Sequence, residues 1–151
     1  MQKVKITIVG TNGKKIRKDF VPSIVFKCII IEGISANDHI LFVAKKEYDF
    51  FSIKFDGSAL YDEYIKEKLK KEFKHDFLVS IPVCTQKKQK YLEIYFLVVP
   101  KMKIINNTRT FNVKNGYKWV KMDSVDISKL RGNNKRAFLS LKDDIDRLKN
   151  A

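Results

Sequence analysis

The stretch from Gly57 to Val79 reads GSALYDEYIKEKLKKEFKHDFLV, and its spacing decides how the rest of the chain is read. Tyr61, Ile65, Leu69 and Phe73 recur every four residues with lysines and glutamates between them. That is the apolar stripe of an amphipathic helix, predicted here over about residues 59–76. On such a helix Glu72, His75 and Asp76 stand at i, i+3 and i+4 and project from one side. Donors converging in this way suit a hard cation such as Mg²⁺, which shares its shell with waters and substrate phosphates. The plainer alternative is a solvated, charged helix face, and the string alone does not separate the two.

Working outward, Ser23 to Glu32 is apolar on both faces and predicts a buried strand, as does His39 to Ala44. Tyr48 to Phe55 is a short aromatic strand ending at Asp56-Gly57. Near the N-terminus, Lys3 to Val9 alternates, Asn12-Gly13 is a turn signal and Lys14 to Phe20 can return, which predicts a hairpin at 3–20. After the helix, Phe77 to Cys84 and Tyr91 to Val99 pair around the basic turn Lys87-Lys88-Gln89-Lys90. Tyr117 to Met122 is a strand carrying Trp119, and Asp123-Ser124 caps a brief helix near Val125 to Leu130. Gly132-Asn133-Asn134 breaks it before a second long helix over about residues 135–149, with Phe138, Leu141, Ile145 and Leu148 on one face. There are no internal repeats and no linker rich in Pro, Gly or Ser, so residues 1–151 read as one α+β domain.

The composition narrows the function classes. With 44% hydrophobic and 12% aromatic residues in 151, the chain is globular rather than disordered. Its longest apolar runs are too short to span a bilayer, and the start MQKVKITIVG lacks a signal-peptide pattern. Cys28 and Cys84 lie in apolar stretches without metal-site spacing, which predicts reduced thiols and a cytoplasmic location. Lysine and arginine number 31 against 17 acids, a formal charge of +14 that attracts polyanions such as RNA or nucleotide phosphates. No RNA-recognition motif, Walker loop, dinucleotide fingerprint or hydrolytic triad accompanies it. Trp119 either stacks on a base or packs in the core. Glu93, on a strand after the helix, is a further acidic candidate.

The order Gly57, Glu63, Lys71-Glu72-Phe73-Lys74-His75-Asp76 and Val79 resembles the Nudix box, Gly-x5-Glu-x7-Arg-Glu-U-x-Glu-Glu-x-Gly-U, where U is a bulky aliphatic residue. Tyr117-Lys118-Trp119-Val120-Lys121-Met122-Asp123 is similar to that family's late Trp-Val strand and short helix, so the likeness runs from about Ser23 to Lys149. The resemblance implies an α/β/α sandwich around a mixed sheet. It also implies a Mg²⁺- or Mn²⁺-dependent hydrolase of a nucleoside diphosphate linked to another moiety. By the family's pattern Glu72 and Asp76 hold metal, Glu63 supports the site from the loop and Lys71 takes the arginine's role.

The box is altered where metal would bind. His75 replaces a glutamate with a softer ligand ill suited to Mg²⁺. Asp76 shortens the last acid, Lys71 loses the arginine fork, Phe55-Asp56-Gly57 stands where the family has Pro-Gly-Gly, and Leu78 replaces the closing glycine. The alternative reading is a non-catalytic protein of the same fold that binds RNA or a ribonucleoprotein through its basic surface.

Overall fold

The computed structural model describes residues 4–9, 15–20, 23–32, 38–88, 91–101, 113–130 and 132–149. At the centre lies β3 (Ser23–Ile31), the doubly apolar run. One edge of β3 is shared: its first half pairs antiparallel with β6 (Phe51–Phe55), and Ile30 and Ile31 pair with Leu41 and Ile40 of β4 (His39–Ala44). Along its other edge β8 (Tyr91–Pro100) runs parallel from Ser23↔Tyr91 to Ile30↔Val98. The outermost strand beyond β8 is β7 (Phe77–Lys88), kinked by bulges around Pro82. A proline lacks the N–H a central strand needs and is tolerated at such an edge. On the opposite flank β4 pairs with β5 (Tyr48–Asp49) and with β9 (Tyr117–Lys121). Separately, β1 (Val4–Val9) pairs antiparallel with β2 (Lys15–Phe20); the Asn12-Gly13 turn expected between them lies outside the described residues, as does most of the segment 101–115.

Strand alternation distributes the core to two faces. Phe26, Cys28, Ile30, Leu41, Phe96 and Val98 pack with Tyr64, Ile65, Leu69 and Phe73 of α1 (Tyr61–Phe73). Ile29, Ile31, Ile40, Phe42 and Tyr95 pack with Ala137, Phe138, Leu141 and Ile145 of α2 (Gly132–Lys149). The result is the predicted α/β/α sandwich around a mixed sheet. Trp119 packs against the α1-side core from β9.

Several boundaries differ from expectation: β7 runs on to Lys88, into the expected basic turn, and the brief helix expected near Val125 to Leu130 is two 3-10 turns, Met122–Ser124 and Ile127–Lys129, the second capped by Asp126 rather than by Asp123 or Ser124. Three more have a local reason. The aromatic stretch from Tyr48 to Phe55 is two strands, because the chain changes partner at fully buried Phe50. The second long helix begins at Gly132, three residues before the expected 135, and Gly132 takes φ 57 there. The first helix ends at Phe73 instead of 76. Lys74 enters the left-handed region (φ 55, ψ 38), its N–H capping the Lys70 carbonyl. From there burial alternates, with Phe73, His75 and Phe77 inside and Lys74 and Asp76 outside, a strand period that begins before β7 does.

Candidate functional site

The box residues run from the loop ahead of α1, along the helix, to the turn after it. Gly57 adopts φ 77, and the Asp56 carboxylate accepts the Ser58 N–H at 2.8 Å, closing the loop ahead of the helix. Glu63 lies exposed in the first turn of α1, where an acid complements the helix dipole. Lys71 is exposed and lines a shallow groove of about 350 Å³ between β6 and α1. Glu72 lines the same groove, and its Oε1 accepts from Lys114 Nζ at 3.1 Å and from the Tyr117 hydroxyl at 3.2 Å. Burial, then the neighbouring Glu72 charge, pushes the Tyr117 hydroxyl up to about 12.

The other two expected ligands leave Glu72. His75 is only 5% exposed, and its Nε2 lies 2.9 Å from the Lys101 carbonyl. A carbonyl only accepts, so Nε2 carries the proton and offers no lone pair to a metal. Asp76 faces solvent and pairs with Lys70 at 3.2 Å, whose hydrogen bond and charge hold the carboxyl below its ordinary value. The i, i+3, i+4 relation requires continuous helix, and the left-handed Lys74 ends it. Glu72, His75 and Asp76 are therefore not brought together. Among the described residues no group of three His, Cys, Asp or Glu side chains could hold a metal ion. As arranged, this donor set does not fit Mg²⁺ or Mn²⁺.

A second constellation lies on the α2 face of the sheet. Lys27, mid-strand in β3, is 8% exposed, and Glu93 of β8 is 7% exposed. Lys27 Nζ stands 2.9 Å from Asp49 Oδ1 and 3.6 Å from Glu93 Oε2. The first turn of α2 completes the network. Asn133 Nδ2 donates to Glu93 Oε1 at 2.7 Å, Asn134 Nδ2 donates to Asp49 Oδ1 at 2.8 Å, and the Tyr95 hydroxyl donates to Asn134 Oδ1 at 2.7 Å. Burial alone would raise the Asp49 carboxyl. The Lys27 hydrogen bond and charge, with the Asn134 amide and the Phe50 N–H, outweigh it and hold Asp49 below its ordinary value.

Lys27, Asp49, Glu93, Asn133 and Asn134 wall a cavity of about 400 Å³ whose lining also includes the exposed Lys45, Lys46 and Glu47. Its size is that of a small-molecule site. Glu93, read from sequence as a metal-ligand candidate, faces this cavity, and no residue of α1 lines it. The available sequence signal was a lone lysine and a lone glutamate, each inside an otherwise apolar strand. Buried charge is costly unless paired, so such residues demand partners. Asp49, Asn133 and Asn134 carried no signal of their own.

No protein-family model matches the chain, and no curated protein matches it significantly. Solved structures do. A Nudix-family hydrolase from Clostridium perfringens superposes with TM-score 0.58 at 10% identity, over 85% of this chain and 99% of that one. A Nudix hydrolase from Nitrosomonas europaea gives TM-score 0.62 at 7% identity, over 97% and 88%. An ADP-ribose pyrophosphatase from Streptococcus suis gives 0.56 at 12% identity, over 82% and 92%. The chain has the Nudix fold.

Proposed function

We propose that this chain binds a nucleoside diphosphate derivative and that recognition, rather than metal-dependent cleavage, is its role. The observation that carries the reading is the cavity on the α2 face. Lys45 and Lys46 supply cations for phosphate, and the α2 N-terminus adds backbone donors of the kind that favour anions. The carboxylates of Asp49 and Glu93 are acceptors for ribose hydroxyls. The separation of Glu72, His75 and Asp76 supports recognition without cleavage. Calorimetry with ADP-ribose against adenosine tests the reading. Binding of ADP-ribose that weakens about tenfold in Lys45→Ala/Lys46→Ala, or about 1.4 kcal/mol, is expected. Equal binding of both compounds, or of neither, contradicts it.

The hydrolase reading is favoured by the likeness to Nudix hydrolases, an ADP-ribose pyrophosphatase among them. In that reading Glu72 and Asp76 would have to close on a metal, with Glu63 and Lys71 in support. It requires turnover of ADP-ribose with Mg²⁺ or Mn²⁺ that Glu72→Gln abolishes. The +14 charge favours RNA as a further partner, for which affinity should fall steeply with salt.

A further inference from the structure

We propose that the groove between β6 and α1 binds vicinal phosphates without a metal ion, the Lys114 ammonium standing on Glu72 where a divalent cation would otherwise have to sit. The proposal rests on the reading that the box assembles no metal centre, and goes beyond it by assigning the place a ligand. Lys68 and Lys71 of the helix line the groove, with Glu72 the one acid among its lining residues, while β6 turns Phe51, Ile53 and Phe55 toward α1 and gives the groove the Lys54 backbone. Lys114 reaches Glu72 from the segment before β9. Lys68, Lys71 and Lys114 thus stand against the one lining carboxylate, a balance that disfavours another dication and favours a diphosphate.

The walls are held in place. The Tyr64 hydroxyl donates to the Lys54 carbonyl at 3.0 Å, tying α1 to β6, and Lys68 Nζ lies 5.3 Å from the Tyr64 ring centroid. Tyr64 itself is only 6% exposed. It offers no ring face for stacking a base, and the half-buried Phe51 beside it is engaged edge-on with Phe73.

Glu72 gives the test its sign. In a metal site this carboxylate is needed; in a lysine site it opposes the ligand and occupies Lys114. The experiment is a titration of the full chain with inorganic pyrophosphate in EDTA at low ionic strength, followed by amide chemical shifts. Binding is expected without metal, weakened about tenfold in Lys68→Ala/Lys71→Ala and tightened about threefold in Glu72→Gln. Inorganic phosphate should bind more weakly than pyrophosphate. A requirement for Mg²⁺, or loss of binding in Glu72→Gln, overturns both this proposal and the reading beneath it. Equal weakening in the distant Lys87→Ala reveals a diffuse charge effect and overturns the groove alone. So does absence of pyrophosphate binding, which leaves the ADP-ribose test of the α2-face cavity intact.

Discussion

Lys114 Nζ lies 3.1 Å from Glu72 Oε1, so the one expected metal-ligand carboxylate that remains on α1 is closed by an ammonium from a distant segment of the chain. Both partners are partly solvated, with side chains 62% and 31% exposed. The pair is therefore a device of charge placement more than of stability. Tyr117 adds a second donor to the same oxygen, so a metal approaching Glu72 must displace both.

Removing the pair should cost little. Glu72→Gln and Lys114→Ala should each change unfolding free energy by less than about 1 kcal/mol, as exposed ion pairs do. Urea denaturation followed by circular dichroism measures this, and a loss several times larger would show that Glu72 has a buried structural role.

His75 is expected to behave as a core residue. His75→Ala removes the bond to the Lys101 carbonyl and the edge contact to Phe77, whose ring centroid lies 5.4 Å away. Leaving that carbonyl unsatisfied and a cavity behind should cost about 2–4 kcal/mol. An unchanged urea midpoint would contradict the buried placement of the ring.

The Lys27 network should respond asymmetrically. Lys27→Met alone leaves Asp49 and Glu93 as two carboxylates without their shared cation, and should destabilise by about 3 kcal/mol. Joining Glu93→Gln to it removes one of the two unbalanced charges and should recover part of the loss. A double-mutant cycle reads the coupling; strict additivity would mean the two groups do not interact in solution.

The network also predicts acid sensitivity. Asp49 has its pKa lowered in the folded chain, so its ionised form favours folding. That contribution is whole above the unfolded carboxyl value of about 4 and is lost as pH falls through the lower folded value. Asp49→Asn should be less stable than the parent at pH 7 and should show a flatter fall in melting temperature below about pH 4. Parallel acid limbs for the two proteins would contradict the assignment.

Lys74 carries the helix end. A residue with a Cβ in the left-handed region costs about 1–2 kcal/mol that glycine avoids. Lys74→Gly should accordingly raise the urea midpoint, and a lowered midpoint would indicate that α1 continues through this position as a right-handed helix.

Much of the fold was legible because it is written in periodicity. The four-residue recurrence of Ile65, Leu69 and Phe73 and the doubly apolar β3 each name one packing solution, and the order of elements orders the sandwich. The end of α1 was hidden because Phe73 and Phe77 satisfy both periods, being i and i+4 on a helix and two alternations apart in a strand. Tertiary burial of His75 decided for the strand, and that choice separates the expected ligands. The cavity network was hidden for a different reason. Lys27, Asp49, Glu93 and Asn134 come from four elements, and only the sheet registers and the placement of α2 bring them together.

Among the described residues, the box of this Nudix fold assembles no metal centre. Titration with Mn²⁺ followed by electron paramagnetic resonance, on the parent and on Glu72→Gln, tests it most directly. No saturable Mn²⁺ uptake that distinguishes the two proteins is expected. Saturable binding by the parent that disappears in Glu72→Gln would contradict it.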